Sequence, residues 1–323
     1  MAFPALYSSP MRHAAWLLFA LTACVTDVPV SPTLARPDPS ALASRQSTTA
    51  STILFYGQVP SITGTGDRVD HVFAMNDDGT NVRQLTTTFS RYASWAPDGK
   101  RVLFSNANPI DGFHISIMNG DGTAVTDLTS PGSGCSDAFP HTLGKQIVFI
   151  RGGGTCVASG LYRMNADGTG LTLLDANAAV TGYPAPSPKG GRVAYTKRDG
   201  DIWVLDLGTG GLTNLTKGSG GVDPSFSPSA KQVVFLRGVS LYVMNDDGTG
   251  VTQLTSPDSP LSDDFAHWSP DGKAIGFTRY DDQEDVVSSA DILVMNADGT
   301  AITNLTGQSL GPGHIAFISA WAR

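Results

Sequence analysis

Met75-Asn76-Asp77-Asp78-Gly79-Thr80 returns along the chain as Met118-Asn119-Gly120-Asp121-Gly122-Thr123, and again at Met164 to Thr169, Met244 to Thr249 and Met295 to Thr300. A degenerate copy runs from Leu205 to Gly210. Gly79, Gly122, Gly168, Gly248 and Gly299, with Thr209 in the degenerate slot, are separated by 43, 46, 41, 39 and 51 residues. Self-similarity at such a period marks a repeat architecture. The 273 residues from 51 to 323 hold six units, 273/6 being 45.5.

Each unit carries four short β signals. The first precedes a Ser-Pro-Asp-Gly-Lys type turn, as in Ser94-Trp95 and His267-Trp268. The second is an apolar triplet closing on an aromatic, as in Ile53 to Phe55, Val102 to Phe104 and Ile275 to Phe277. The third runs into the Asn-x-Asp-Gly turn, and the fourth leaves it with alternating residues such as Val82-Arg83-Gln84-Leu85-Thr86. Asp-Gly at both turns supplies the positive φ that tight hairpins require. A four-stranded antiparallel meander of this length is a propeller blade, so the expectation is an all-β, six-bladed β-propeller. The first unit starts at Ser51 without its Trp strand, and Ser319-Ala320-Trp321-Ala322 repeats Ala93-Ser94-Trp95-Ala96. The C-terminal strand is therefore expected to close the first blade, which removes two free sheet edges.

Composition agrees. Of 29 acidic residues, 28 are Asp and one is Glu284, and Asp collects at turns whereas Glu favours helices. A net charge of -8 offers no basic stripe for phosphates, which disfavours nucleic acid as a partner.

The repeat, with Asp271-Gly272-Lys273 followed by Met295 to Thr300, resembles the TolB-like, WD-repeat-like β-propellers of bacterial envelopes over residues 51–323. The resemblance implies the fold and an envelope setting and leaves function open, since propellers host binders and enzymes alike. Pro140-His141-Thr142-Leu143-Gly144 and Pro186-Ser187-Pro188-Lys189-Gly190 lack the Asp-Gly pair of the family's first turn.

Residues 1–24 have signal-peptide proportions, with a basic start at Arg12 and an apolar run from Ala14. Leu21-Thr22-Ala23-Cys24 resembles a lipobox, which implies a bacterial lipoprotein with a lipid anchor on Cys24; the alternative is an ordinary secretory cut near Ala23. Residues 25–50, with four prolines among Ser, Thr and Ala, are expected to form a flexible linker. Localisation is thus expected at the envelope, in the periplasm or at the cell surface.

The Asn-x-Asp-Gly-Thr turns lack the Glu that a calcium loop requires, and no nucleophile elbow, phosphate loop or His-Glu-x-x-His is present. No cofactor, metal site or catalytic residue is assigned. His71 and His114 precede the Met of adjacent units at one strand-start position, while His141, His267 and His314 fall in three different units. Cys135 and Cys156 lie in connections on one face of the third unit, and an oxidising compartment makes them a disulfide candidate, against two free thiols. The longer loops share that face, so the binding surface is placed at its channel mouth, with Tyr92, Asp137, Tyr183, Asp223, Phe265 and His267, and at the acidic loop Asp281, Asp282, Glu284 and Asp285, near Asp258, Asp263 and Asp264. The alternative is an acidic solvated rim. The expected function is a non-enzymatic module that binds another envelope protein. The competing function is a lyase or hydrolase acting on a saccharide or peptide in the channel.

Overall fold

The computed structural model describes residues 51–322 other than 64–68, 109–111, 133, 154, 259, 282–288, 308 and 312, with Ser61 described by its backbone alone. The leader, Cys24 and the linker therefore lie outside the described residues, as do Asp282, Glu284 and Asp285.

The chain forms an all-β propeller of four-stranded antiparallel blades, with one helical turn among the described residues, α1 (Pro60–Thr63). Strands β1 (Thr52–Gln58), β2 (His71–Asn76) and β3 (Arg83–Gln84) open it. Four separate sheets follow: β4 to β7 (Ser90–Trp95, Arg101–Asn108, Gly112–Asn119, Thr126–Asp127), β8 to β11 (Ser136–Leu143, Gln146–Gly152, Gly160–Asn165, Thr172–Asp175), β12 to β15 (Ala185–Pro186, Arg192–Thr196, Ile202–Asp206, Leu212–Asn214) and β16 to β19 (Val222–Phe226, Gln232–Arg237, Ser240–Asn245, Thr252–Gln253). The last strands are β20 (Leu261–Trp268), β21 (Ala274–Asp281), β22 (Ala290–Asn296), β23 (Thr303–Asn304) and β24 (Ile315–Ala322). They join the first three in one eight-stranded sheet, order β20-β21-β22-β24-β1-β2-β3, with β23 on β22. Hydrogen bonding thus delivers four four-stranded sheets and one of eight, where the sequence suggests six separate ones. The cause is local: a single parallel bridge, Ala290 to Ile315, links β22 to β24.

The C-terminal strand β24 pairs antiparallel with β1 from Thr52↔Ala322 to Gln58↔Ile315. The first strand of each blade is innermost, and these strands touch in one closed cycle, β24 to β4 to β8 to β12 to β16 to β20 and back. Between blades, the apolar triplets pack into four buried clusters, with Ile53, Phe55, Val102, Phe104, Phe149, Tyr195, Phe235, Ile275 and Phe277 wholly buried.

The repeated turn has two physical jobs. Inside it, the hydroxyl and amide of Thr80 both donate to Asp78 Oδ1 (2.6 and 2.9 Å), and Asn76 Nδ2 donates to Thr80 Oγ1 (2.9 Å). Thr123, Thr169, Thr249 and Thr300 repeat the arrangement. These hydrogen bonds hold the carboxyls of Asp121, Asp167, Asp247 and Asp298 below the usual range. Between blades, the turn's glycine abuts the preceding blade. A Cβ on Gly79 would meet the Leu305 carbonyl oxygen at 2.7 Å, and one on Gly122, Gly168, Gly248 or Gly299 would meet that of Leu85, Leu128, Leu215 or Leu254 at 2.4 to 2.8 Å. Positive φ and close approach both demand glycine there.

Cys135 and Cys156 are joined by a disulfide, Cα–Cα 4.7 Å, which bridges the connection into β8 and the one between β9 and β10. Closing a loop with a sequence separation of 21 is worth about 3 kcal/mol in chain-entropy arithmetic.

A clasp flanks the bridge between β22 and β24. His314 Nε2 donates to Asp291 Oδ1 at 2.8 Å, and Nδ1 lies 2.6 Å from the Gly311 carbonyl. Burial alone would lower the His314 pKa, yet the Asp291 carboxylate and Gly311 raise it overall, while His314 and Thr306 hold Asp291 low against its own burial. A raised histidine stabilises fully below its unfolded value near 6.5, and that contribution is lost as pH climbs through the folded value; the Asp291 contribution is lost as pH falls through its own depressed value. We expect His314→Gln to lower the melting temperature more at pH 5.5 than at pH 8.5. Equal losses at both pH values would remove the ionised clasp from the account.

Candidate functional site

The innermost strands β4, β8, β16 and β20 each carry a bulge, between Arg91 and Ser94, Ala138 and His141, Val222 and Ser225, and Asp264 and His267. At each bulge one non-glycine residue takes a left-handed conformation: Tyr92 (φ 55), Phe139 (φ 58), Asp223 (φ 52) and Phe265 (φ 54). Left-handed aromatics are costly, and such strain persists only where surrounding structure enforces it. Here the rings pack on one another. Tyr92 meets Phe139 at 4.1 Å and Tyr183 at 5.7 Å, Tyr183 meets Phe139 at 4.3 Å and Phe265 at 5.4 Å, and Phe317 meets Tyr56 at 5.3 Å and Phe265 at 5.4 Å between ring centres. Rings from non-neighbouring strands touch, so these side chains plug the channel. Tyr56, Tyr92, Phe139, Tyr183 and Phe265 are all buried.

On one side of the plug a hollow of about 300 Å³ opens, lined by Ser94, Trp95, His141, Thr142, Pro186, Pro188, Ser225, Phe226, His267 and Trp268, with Pro228, Pro270, Ala320 and Trp321 completing its wall. All of these stand at the C-terminal ends of innermost strands or in the turns just after them, which is the face of the short turns. His141 and His267 come from β8 and β20, their ring centres 6.4 Å apart and planes 29° apart. Burial pushes His141 down to about 4, and burial with the neighbouring His141 pushes His267 down to about 3, so both are neutral imidazoles at pH 7. Trp268 Nε1 donates to the Ser225 carbonyl (3.2 Å), tying adjacent blades at the funnel wall.

Level with the plug, Asp223 Oδ1 accepts from the Tyr183 amide at 3.1 Å, and its carboxyl shares a hydrogen bond with Asp264. Burial raises the Asp223 pKa against those two hydrogen bonds. Asp264 also accepts from the Phe265 amide at 2.6 Å.

The structure brings Tyr92, Tyr183, Asp223, Phe265 and His267 together in the channel, and separates Asp137 from them. Asp137 is wholly buried and receives Arg151 through two bonds, Nε to Oδ1 (2.6 Å) and a second nitrogen to Oδ2 (2.7 Å). The cross-strand register places the arginine opposite it, so Asp137 is a structural ion-pair partner and not a channel-mouth residue. Asp263, expected in a loop with Asp264, lies in β20 and forms the same pair with Arg279 (2.6 and 2.8 Å). Of the acidic loop only Asp281 is described, half-buried at the end of β21. The hollow opens on the face opposite the end of β21 that carries Asp281. His71 bonds the Thr88 carbonyl (3.0 Å), and His114 lies 3.4 Å from Asp127 of its own blade. Ser94, Trp95 and Trp321 were read in the sequence as repeat residues and not as site residues, and Ser225 was not read at all; the Trp recurring at the end of the innermost strand, as Trp95, Trp268 and Trp321, was the available signal. Among the described residues no group of three or more His, Cys, Asp or Glu could hold a metal ion, and no helix is long and apolar enough to cross a membrane.

No protein-family model matches the chain. An uncharacterized protein of Agrobacterium fabrum is 26% identical over 229 residues, 66% of this chain and 74% of the relative. Among solved structures, TolB from Acinetobacter baumannii superposes with a TM-score of 0.68 at 18% identity, over 84% of this chain and 66% of that one. A putative TolB from Agrobacterium tumefaciens gives 0.59 at 19% identity, over 84% of this chain and 98% of that one. Hydrazine synthase of Kuenenia stuttgartiensis gives 0.64 at 13%, over 93% of this chain and 50% of that one. The likeness is one of fold: a TolB-like β-propeller. The chain spans about two thirds of the Acinetobacter protein.

Proposed function

We propose that this chain is a six-bladed, lipid-anchored propeller of the bacterial envelope, and that it serves as a non-enzymatic binding module whose site is the funnel on the short-turn face. Counting the eight-stranded sheet as two blades joined by one bridge gives the six. The observation that carries the binding reading is the funnel itself: an open hollow walled by Trp95, Phe226, Trp268 and Trp321 with neutral polar groups between them. Aromatic walls with a few polar groups are what binding sites offer a ligand. The TolB proteins that share the fold support an envelope setting.

Capture of envelope proteins from membranes by mild crosslinking tests this. Ser225→Trp fills the hollow and should reduce capture at least tenfold, or about 1.4 kcal/mol of binding. Replacing Asp281, Asp282, Glu284 and Asp285 by Ser or Gln should leave it. The reverse pattern moves the partner to the acidic loop, and undiminished capture in both variants ends the binding-site reading. An enzymatic reading draws on the Asp223–Asp264 pair and the two imidazoles; it requires turnover of an oligosaccharide or peptide that His141→Ala or His267→Ala abolishes. Anchoring is checked separately: Cys24→Ser should leave the protein unprocessed or soluble, and an unmodified wild-type N-terminus would remove the lipid.

A further inference from the structure

The first described residue, Ser51, is bonded to a residue of the funnel wall. Its Oγ accepts from Trp321 Nε1 at 2.9 Å and also bonds Asp77, and Trp321 lines the hollow. The described chain therefore begins at the end of β1 that lies beside the C-terminal end of β24, on the face where the funnel opens. The lining contains no Asp, Glu, Lys or Arg, and the two imidazoles in it are neutral at pH 7. A charged occupant would lose its hydration there without gaining a counter-charge. Val28-Pro29-Val30-Ser31-Pro32-Thr33-Leu34-Ala35, bounded by Asp27 and Arg36, carries no charge and has two prolines among aliphatic side chains. Pro39 to Ser44 is uncharged too, with one proline and one large aliphatic residue. Proline-containing segments dock in aromatic-lined grooves, because little chain entropy remains to be lost.

We propose that Val28–Ala35 of the same chain occupies the funnel, an intramolecular ligand that a partner must displace. Fifteen residues, 36–50, connect the segment to Ser51. At about 3.1 Å per residue they reach roughly 45 Å when extended, which exceeds the need. A connection of this length confines the segment at an effective concentration near 1 mM, so an intrinsic dissociation constant of about 100 µM fills roughly nine funnels in ten. That a partner competes with it rests on the funnel being the partner site; the occupancy itself does not.

The full-length protein, purified in detergent without any partner, tests the occupancy. With a photo-crosslinking benzoyl-phenylalanine in place of Val30, most crosslinks should fall within the molecule on peptides that carry Trp95, Trp268 or Trp321, in a yield unchanged by tenfold dilution. In a second measurement, Pro29→Asp with Val30→Asp should speed the modification of His141 and His267 by diethyl pyrocarbonate about tenfold. Crosslinks scattered over other peptides, crosslinks that disappear on dilution as those to a second copy would, or unchanged histidine reactivity each overturn the proposal. Because no partner is present, these outcomes are independent of whether the funnel binds one.

Discussion

A chain that stops at His314 will not melt cooperatively, and it will aggregate at concentrations where the full chain is soluble. The nine residues removed include all of β24, which pairs with β1 from Thr52 to Gln58. Ala316 and Ile318 are wholly buried, Ala320 nearly so, and Phe317 and Trp321 pack against the same core. A buried aliphatic or aromatic side chain is worth about 1.5–3 kcal/mol, so the loss approaches the 5–15 kcal/mol that keeps a domain folded. The lost strand also bares the hydrogen-bonding edge of β1, and a bare edge recruits other chains. Trp321 and Ala320 leave the funnel wall as well. A truncated protein with an unchanged calorimetric transition would show that β24 is dispensable for closure.

The second large effect comes from Arg279. Its partner Asp263 has no solvent exposure, and the arginine side chain itself is only 15% exposed. Arg279→Met leaves a buried carboxylate without a counter-charge, which costs about 3–5 kcal/mol. At about 2–4 °C per kcal/mol for a domain of this size, the melting temperature should fall by roughly 10 °C. Adding Asp263→Leu to Arg279→Met removes the orphan charge and should restore most of the loss, since an apolar pair can replace a buried ion pair at little cost. Denaturant unfolding of the single and double variants decides it. A single variant within 1 kcal/mol of wild type would mean that water reaches Asp263.

How much of this the sequence contained depended on whether a feature was local. The turns were legible because Asn-x-Asp-Gly-Thr closes on itself through Asp78 and Thr80. The second demand on Gly79 was not, because the Leu305 carbonyl it abuts lies at the other end of the chain. Tyr92 and Phe265 were placed at the channel from their position at the entry to innermost strands, but their left-handed backbone opposes the usual preference of aromatics and is held by the packed rings around them. Asp137 looked like a channel group because its partner Arg151 is 14 residues away across a hairpin. The repetition of that pair as Asp263 and Arg279 in an equivalent blade is the signal that would have found it. The hollow was not legible for another reason: loop length was the guide to the long-loop face, while the hollow is made by the short Ser-Pro-Asp-Gly side.

Trp321 and Ser51, bonded to each other, are 270 positions apart in the chain. A ribosome working at about 5–20 residues per second needs roughly 15–50 s to make what lies between them. For that whole interval the edge of β1 awaits a partner that has not yet been made. Among the described strands, the one that closes the ring is the last to be made, so every other strand must wait for it before the cycle of blades is complete.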